Sequence, residues 1–290
     1  MTLHEAYQLG QEQLKTAGIE EADLDAWYLL EHVTGIDRTG YFLNCRERLS
    51  KEQEEAYREA LQKRAAHIPL QQITGVQEFM GLKFRVNEHV LIPRQDTEVL
   101  VEEVCKVQRP GMHVLDMCTG SGCILISLLK YIEAEGNMRT GSGQPVTGVG
   151  VDISKEALHV AEQNAKALGV AATWLHSNLF ERVTGRYDII VSNPPYIPTS
   201  VIHSLAEEVK LHEPLMALDG KEDGLWFYRE IVRKGPEYLK RGGRLFFEIG
   251  YDQGEAVRRL MEEAEFTEVT VKKDLAGLDR VVSGAYNLEE

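Results

Sequence analysis

The chain has 290 residues, with 46 acidic and 32 basic side chains and a formal net charge of −14. That balance argues against a broad nucleic-acid or anionic-membrane footprint, because both need basic surface. With 43% hydrophobic and 27% charged residues, the composition is that of a soluble globular protein of one large domain or two. The opening Met1-Thr2-Leu3-His4-Glu5-Ala6 has neither a basic n-region nor an apolar h-region, so no signal peptide is expected. No apolar run is long enough to span a bilayer. Cys45, Cys105, Cys118 and Cys123 are scattered without a CxxC pair. They read as reduced thiols of a cytoplasmic protein, and no metal site is expected.

Residues 1–66 read as helical. Leu3, Ala6, Tyr7, Leu9, Leu14 and Ala17 recur at helical spacing, and Gly18 stops the run. A second helix starts at Asp23 or Asp25, either of which can cap it, and ends at Gly35. Ser50 with Gln53 has the capping-box spacing for a third, running to about Ala66. Tyr7, Trp27, Tyr28 and Tyr57 read as core or interface residues, and no chemistry is visible there. Pro69 ends this part. Alternating residues on either side of Met80-Gly81 predict a β-hairpin. The expected organisation is a helical domain over 1–68, a hairpin linker over 69–90 and a larger domain over 91–290. In Leu91-Ile92-Pro93-Arg94-Gln95-Asp96-Thr97-Glu98, Pro93 breaks the strand, and Asp96 or Thr97 can cap the helix that follows.

From Met112 the pattern becomes strand, Gly-rich turn, helix. Strands are predicted over 113–116, 149–152, 173–176, 187–191, 244–249, 266–271 and 280–285. Helices fall over 123–130, 155–168, 223–239 and 253–264. The polar, Gly- and Ser-rich stretch 135–148 reads as a mobile surface insertion, and 199–222 as a long connection. Strands alternating with helices imply an α/β fold with a doubly wound, mostly parallel sheet of seven strands.

Asp116-Met117-Cys118-Thr119-Gly120-Ser121-Gly122 follows the first of these strands. Small residues there let a ligand approach the backbone, and the next helix offers N–H groups. The GxGxxG of dinucleotide sites fails, because its positions fall on Cys118, Gly120 and Cys123. A ligand without a pyrophosphate suits the loop better. S-adenosyl-L-methionine carries an ammonium and a sulfonium and no phosphate, and Asp116 could meet a cation at the strand's end. Asp152, at the tip of the second strand, is placed to hold ribose hydroxyls. It lies 30 positions past Gly122 instead of about 20, and the 135–148 insertion accounts for the surplus. Asp152 can also act as a helix cap beside Ser154. Ser177-Asn178-Leu179-Phe180 is placed to line the adenine edge, and Phe180 fits a core position equally well.

The fourth strand ends abruptly in Asn193-Pro194-Pro195-Tyr196. Neither proline can donate a backbone hydrogen bond, and the residue before each is held out of helix. This stiff elbow offers the Asn193 side-chain oxygen, the Pro194 carbonyl and the Tyr196 ring. An amide or aromatic amine nitrogen is a poor nucleophile because its lone pair is conjugated. Two acceptors aimed at its two N–H bonds orient it and stabilise developing positive charge, and Tyr196 can pack on the plane. No strong base is needed, because the alkylated nitrogen sheds its proton readily.

Together these residues resemble class I S-adenosylmethionine-dependent methyltransferases. More narrowly, the chain resembles the peptide chain release factor glutamine N5-methyltransferase family over nearly its whole length. The resemblance rests on Asp25-Ala26 with Leu29-Leu30, on 69–75, on Glu78-Phe79-Met80-Gly81-Leu82 and on 91–98. It continues through Thr119-Gly120-Ser121-Gly122, Asn193-Pro194-Pro195-Tyr196-Ile197, Glu213-Pro214, Ala217-Leu218, Asp223-Gly224-Leu225, Glu248-Ile249-Gly250 and Asp279-Arg280. It implies a Rossmann-like methyltransferase sheet, and a helical N-terminal domain that docks a class I release factor. The implied reaction is methylation of the glutamine of its Gly-Gly-Gln motif. Carried over, cofactor contacts fall on Cys118, Thr119, Gly120, Ser121, Gly122, Asp152, Leu179 and Asn193, and the glutamine sits on Asn193, Pro194, Pro195 and Tyr196. Three positions depart from the family pattern. Cys118 replaces a glycine, at little expected cost because it is small. Gln95 replaces a proline, which is expected to loosen its loop. Asn178 replaces an acid that meets the adenine amine, and its oxygen can accept the same bond.

Three rivals remain at this level. A DNA adenine-N6 methyltransferase uses the same elbow on a flipped base, but needs a basic recognition region that a chain at −14 lacks. An enzyme for a glutamine of another protein is compatible with the residues. A non-catalytic cofactor-binding protein predicts a damaged elbow, and this one is complete.

Overall fold

The computed structural model describes residues 1–139 and 146–287. The first helices are α1 (Leu3–Thr16), α2 (Ala22–Thr34), α3 (Arg38–Asn44), α4 (Lys51–Ala65) and α5 (Leu70–Thr74). A hairpin of β1 (Val76–Phe79) and β2 (Leu82–Arg85) follows. Then come α6 (Glu98–Val107), β3 (His113–Met117), α7 (Cys123–Arg139), β4 (Thr147–Asp152), α8 (Lys155–Leu168), β5 (Thr173–His176) and β6 (Tyr187–Ser192). The long connection over 199–222 contains α9 (Glu207–His212) and α10 (Leu215–Leu218). The chain ends with α11 (Trp226–Tyr238), β7 (Leu239–Glu248), α12 (Gly254–Glu263), β8 (Phe266–Lys273) and β9 (Asp279–Tyr286). Of the segment read as an insertion, 135–139 continue α7, β4 takes the last two residues, and 140–145 lie outside the described residues. No described helix is long and apolar enough to cross a membrane.

Seven strands form one sheet in the order β5-β4-β3-β6-β7-β9-β8. Pairings from β5 through β7 are parallel, and β9 runs antiparallel to both β7 and β8. The doubly wound, mostly parallel sheet expected from the alternation is therefore present. Its central strands read as unbroken apolar runs because both faces are covered. Successive residues go to opposite faces. Val114, Ile189, Val191 and Phe246 pack under α6 and α7, and Leu115, Ile190, Leu245 and Phe247 under α11 and α12. Phe79 and Phe84 of the hairpin are buried in the first of these cores. Strand order reverses between β3 and β6, which is where open α/β sheets bind ligands.

The chain divides into two units. One comprises Met1–Val76 with Ala206–His212, and the other Gln77–Leu205 with Glu213–Glu290. In the first unit, capping boxes at Thr2/Glu5 and Ser50/Gln53 start α1 and α4. Trp27 and Tyr57 are core, and the Tyr57 hydroxyl donates to the Ala26 carbonyl at 3.1 Å, whereas Tyr28 is 43% exposed. Neither Asp23 nor Asp25 caps α2, whose N-cap is Glu21 without a side-chain bond. Asp25 instead turns inward and takes the Arg64 Nε at 2.6 Å, with both side chains buried. Arg64 also donates to the Ile68 carbonyl at 3.2 Å and pairs with Glu208 at 2.8 Å, which ties α9 into this unit. Helix α6 likewise lacks a side-chain cap. A 3-10 turn over Gln95–Thr97 leads into it, and Thr97 is buried instead.

A buried cation that loses its partner is strongly destabilising. Asp25→Ala should therefore lower the stability of the first unit by about 3 kcal/mol, read as a shift in its urea unfolding midpoint. Leu24→Ala on the exposed face of the same helix should change it little.

Candidate active site

The turn after β3 is held through its backbone N–H groups. Thr119 N–H donates to the Val151 carbonyl at 2.9 Å, Gly122 N–H to Thr119 O at 2.9 Å, and Gly120 N–H to Asp152 Oδ2 at 2.9 Å. Cys118 sits at φ 63°, in the left-handed region that glycine tolerates. Its cost is thus one of backbone conformation, on the order of 1 kcal/mol, and size does not enter. The thiol is pushed far up by burial and by the nearby Asp152 and Asp116 carboxyls.

Asp116 does not reach the ligand cavity. It is fully buried beneath the turn, where Oδ2 accepts the Thr119 hydroxyl at 2.5 Å. The Leu125 N–H in the first turn of α7 faces the carboxyl, and Oδ1 makes no hydrogen bond of normal geometry. Burial raises its pKa to about 7, against the opposing Thr119 hydroxyl. Asp116 thus braces the turn and is not placed to meet a ligand cation at the cavity surface.

Asp152 does face the cavity. Its Oδ2 holds Gly120 and its Oδ1 accepts the Ser154 N–H at 2.9 Å, while Ser154 itself caps α8. Each oxygen keeps a lone pair for a ligand hydroxyl. Burial raises this carboxyl too, opposed by the backbone N–H groups. Ser177, Asn178 and Leu179 line the adjoining wall. The Ser177 hydroxyl donates to the Leu179 carbonyl at 2.9 Å, Leu179 is left-handed at φ 47°, and Asn178 Nδ2 donates to Glu181 at 2.8 Å. Phe180 is core and stacks on Tyr238 at 4.6 Å.

The elbow follows β6. Ser192 donates to the Met117 carbonyl at 2.7 Å, so the turn and the elbow are joined at the switch point. Asn193 and Pro195 line the cavity; Pro194, Tyr196 and Gly122 do not. Asn193 Nδ2 points to Thr97 Oγ1 at 3.4 Å. The Tyr196 ring packs against the core and its hydroxyl is pushed up to about 12 by burial. What fixes the elbow is backbone. Gln253 Nε2 donates to the Tyr196 carbonyl at 3.0 Å, Ile197 N–H to Leu218 O at 3.0 Å, and Gly220 N–H to Ile197 O at 2.8 Å. Gly224, at φ 75°, approaches so closely that a Cβ there would lie 2.3 Å from the Tyr196 oxygen.

Turn, Asp152, Leu179 and Asn193 share one cavity of about 310 Å³. Thr97, Met216, Trp226 and Phe227 are among the other residues of its wall. These were not expected from the sequence, although the Asp223-Gly224-Leu225 turn just ahead of Trp226 and Phe227 is a usable signal. The cations on the rim are engaged: Arg94 pairs with the buried Glu213, and Lys221 with Asp219 at 3.0 Å. Gln95, expected to loosen its loop, opens a 3-10 turn closed by Thr97 N–H to Arg94 O at 3.1 Å.

Residues 5–75 match the PrmC N-terminal domain, and 94–209 the methyltransferase small domain. A release factor glutamine methyltransferase of Geobacter sulfurreducens (strain ATCC 51573 / DSM 12127 / PCA) is 42% identical over 93% of this chain and 92% of its own. One from Caulobacter vibrioides (strain ATCC 19089 / CIP 103742 / CB 15) is 40% identical over 99% and 97%. A solved methyltransferase from Pyrococcus furiosus shares the fold, with a TM-score of 0.52 at 13% identity over 72% of this chain and 91% of its own. With both family domains in place and nearly the whole length matched, the chain belongs to the release factor glutamine methyltransferase family.

Proposed function

We propose that this chain methylates the side-chain amide nitrogen (N5) of the glutamine in the Gly-Gly-Gln motif of class I peptide chain release factors, in the cytoplasm, with S-adenosyl-L-methionine as donor. The observation that carries this reading is the single cavity shared by the 118–121 turn, Asp152 and Asn193. It sets a nucleoside-sized groove against a nitrogen-binding elbow.

The residues fit that donor. The turn exposes backbone and no unpaired cation, so nothing in it calls for a phosphate. Asp152 has spare acceptor capacity for two vicinal hydroxyls, and Ser177 to Leu179 offer a wall for a flat base. When bound, the cofactor supplies an electrophilic methyl group on a sulfonium.

The chain's own residues do the rest. Asn193 Oδ1 accepts one N–H of the substrate amide and the Pro194 carbonyl the other. No hydrogen bond from the described residues ends on that carbonyl. Holding the nitrogen this way would stabilise the positive charge that develops as its new N–C bond forms and the donor's methyl–sulfur bond breaks, leaving a neutral thioether, and the nitrogen's proton then leaves to solvent. Pro195 supplies wall, and Tyr196 acts through its carbonyl, which anchors the elbow to Gln253. Asp116 acts one step back, through Thr119. The helical unit serves as the docking site for the release factor.

Radiolabelled donor should transfer methyl to a purified release factor and leave its Gln→Ala variant unlabelled; equal labelling of both would sink the assignment. Asn193→Ala should abolish turnover while cofactor affinity stays within a few-fold, measured by calorimetry. Gly224→Ala should push the Tyr196 carbonyl aside and cost turnover on the order of a hundredfold, with cofactor affinity again little changed.

A further inference from the structure

Glu248, the last residue of β7, has no part in the reading above. Its side chain is 2% exposed and Oε2 has no hydrogen-bond partner among the described residues. A buried carboxyl so poorly matched is costly, so a use for it is worth seeking. The groups around it supply one. The Thr97 hydroxyl and the Asn193 amide both face its carboxyl. Thr97 is also 2% exposed, and its Oγ1 accepts from Asn193 Nδ2 at 3.4 Å.

We propose that Glu248 and Thr97 are positioning residues that fix which end of the Asn193 amide faces the cavity. Nδ2 carries two hydrogens and needs acceptors, whereas an ionised carboxylate can only accept. With Asn193 Nδ2 donating to Thr97 Oγ1 and the Thr97 hydroxyl facing the Glu248 carboxyl, donation from Asn193 through Thr97 toward Glu248 is the one consistent direction. It draws the amino end inward and turns Oδ1 to the cavity. An amide the other way round would set NH₂ against the substrate's NH₂, donor against donor. This inference rests on the reading that Asn193 Oδ1 holds the substrate nitrogen.

The proton on Glu248 decides the direction. Burial raises its pKa to about 7, opposed by the Thr97 hydroxyl, the Arg280 charge and the Asn193 amide, and reinforced by Asp96. Arg280 is itself held by Asp274 at 2.9 Å and Asp96 at 3.3 Å. The Tyr196 and Tyr228 hydroxyls and the Cys123 thiol lie in the same field, and all three stay neutral through this range because burial raises them. Below about 7 a protonated Glu248 can donate to Asn193 Oδ1 and hold the amide reversed. Above it the ionised form restores the productive end, so turnover should climb as pH rises through neutrality.

The test is steady-state kinetics of the full chain on a release factor, on both sides of neutrality. Glu248→Gln, which can donate or accept, should flatten the acid limb of the kcat profile. It should lower the alkaline plateau severalfold and leave the KM for S-adenosyl-L-methionine within about twofold. Thr97→Val should lose turnover and Thr97→Ser should keep most of it, which decides the matter even if Glu248→Gln folds poorly. An unchanged acid limb in Glu248→Gln, or equal activity of the two Thr97 variants, overturns the proposal. Should Asn193→Ala keep its turnover, the reading of Asn193 fails first. If Asn193→Ala is inactive while the Glu248 and Thr97 variants behave as wild type, only the positioning role falls.

Discussion

The site depends on one register. β3 and β6 run parallel with Asp116 opposite Val191 and Met117 opposite Ser192. Because of it, the Gly-rich turn and the Asn-Pro-Pro-Tyr elbow leave the sheet side by side, and the Ser192 hydroxyl can close on the Met117 carbonyl. A slip of one residue would send Val191 into the opposite core and move the elbow off the turn. The packing forbids that slip, since Val114 and Val191 lie in one apolar layer and Leu115 and Ile190 in the other. The hydrophobic patterning that makes the sheet thus also sets the distance between the groove and the Asn-Pro-Pro-Tyr elbow.

From that register outward, the support is mostly backbone. The elbow is clasped by Leu218, Gly220 and Gly224 on one side and by Gln253 on another. The turn is clasped by Val151 and Asp152. Side chains hung on such supports have little freedom to relax, which is the condition for preorganised electrostatic stabilisation. It also explains how the chain tolerates buried acids. Asp116, Asp152 and Glu248 each lose hydration, and each faces hydroxyl, amide or backbone N–H donors held by the fold, while Asp116 Oδ1 and Glu248 Oε2 are left without a hydrogen bond among the described residues.

How much of this was legible depends on sequence distance. The sheet was, because alternating strands and helices leave few arrangements. The elbow was, because two prolines dictate it locally. Asp152 could be found across the 135–148 stretch because strand tips recur in register. Asp116 was misaimed. It shares the parity of Val114, so it belongs to the face under α7, and that period-2 signal was present but outweighed by its place before a Gly-rich turn. Asp25 was read as a cap because its partner Arg64 lies 39 positions on, and Thr97 as a cap because Asn193 lies 96 positions on. Pairings of that length follow from the fold and have no local trace. The left-handed Cys118 and Leu179 were hidden for a similar reason, since neither residue type announces such a backbone.

On the reading proposed above, the choice of acceptors bears on which nitrogen the elbow would hold. The carboxyls nearest the elbow do not line the cavity: Glu248 is buried against Thr97 and Asn193, Glu213 is taken by Arg94, and Asp116 is under the turn. What remains at the elbow is an amide oxygen and a peptide carbonyl, both neutral. An ammonium placed there would give up its hydration with no carboxylate in direct contact at the elbow, a cost of several kcal/mol. A primary amide gives up only two hydrogen bonds and finds two. Neutral acceptors on a rigid elbow therefore discriminate against amine side chains by leaving their charge unmatched, and favour a planar, uncharged N–H₂ group.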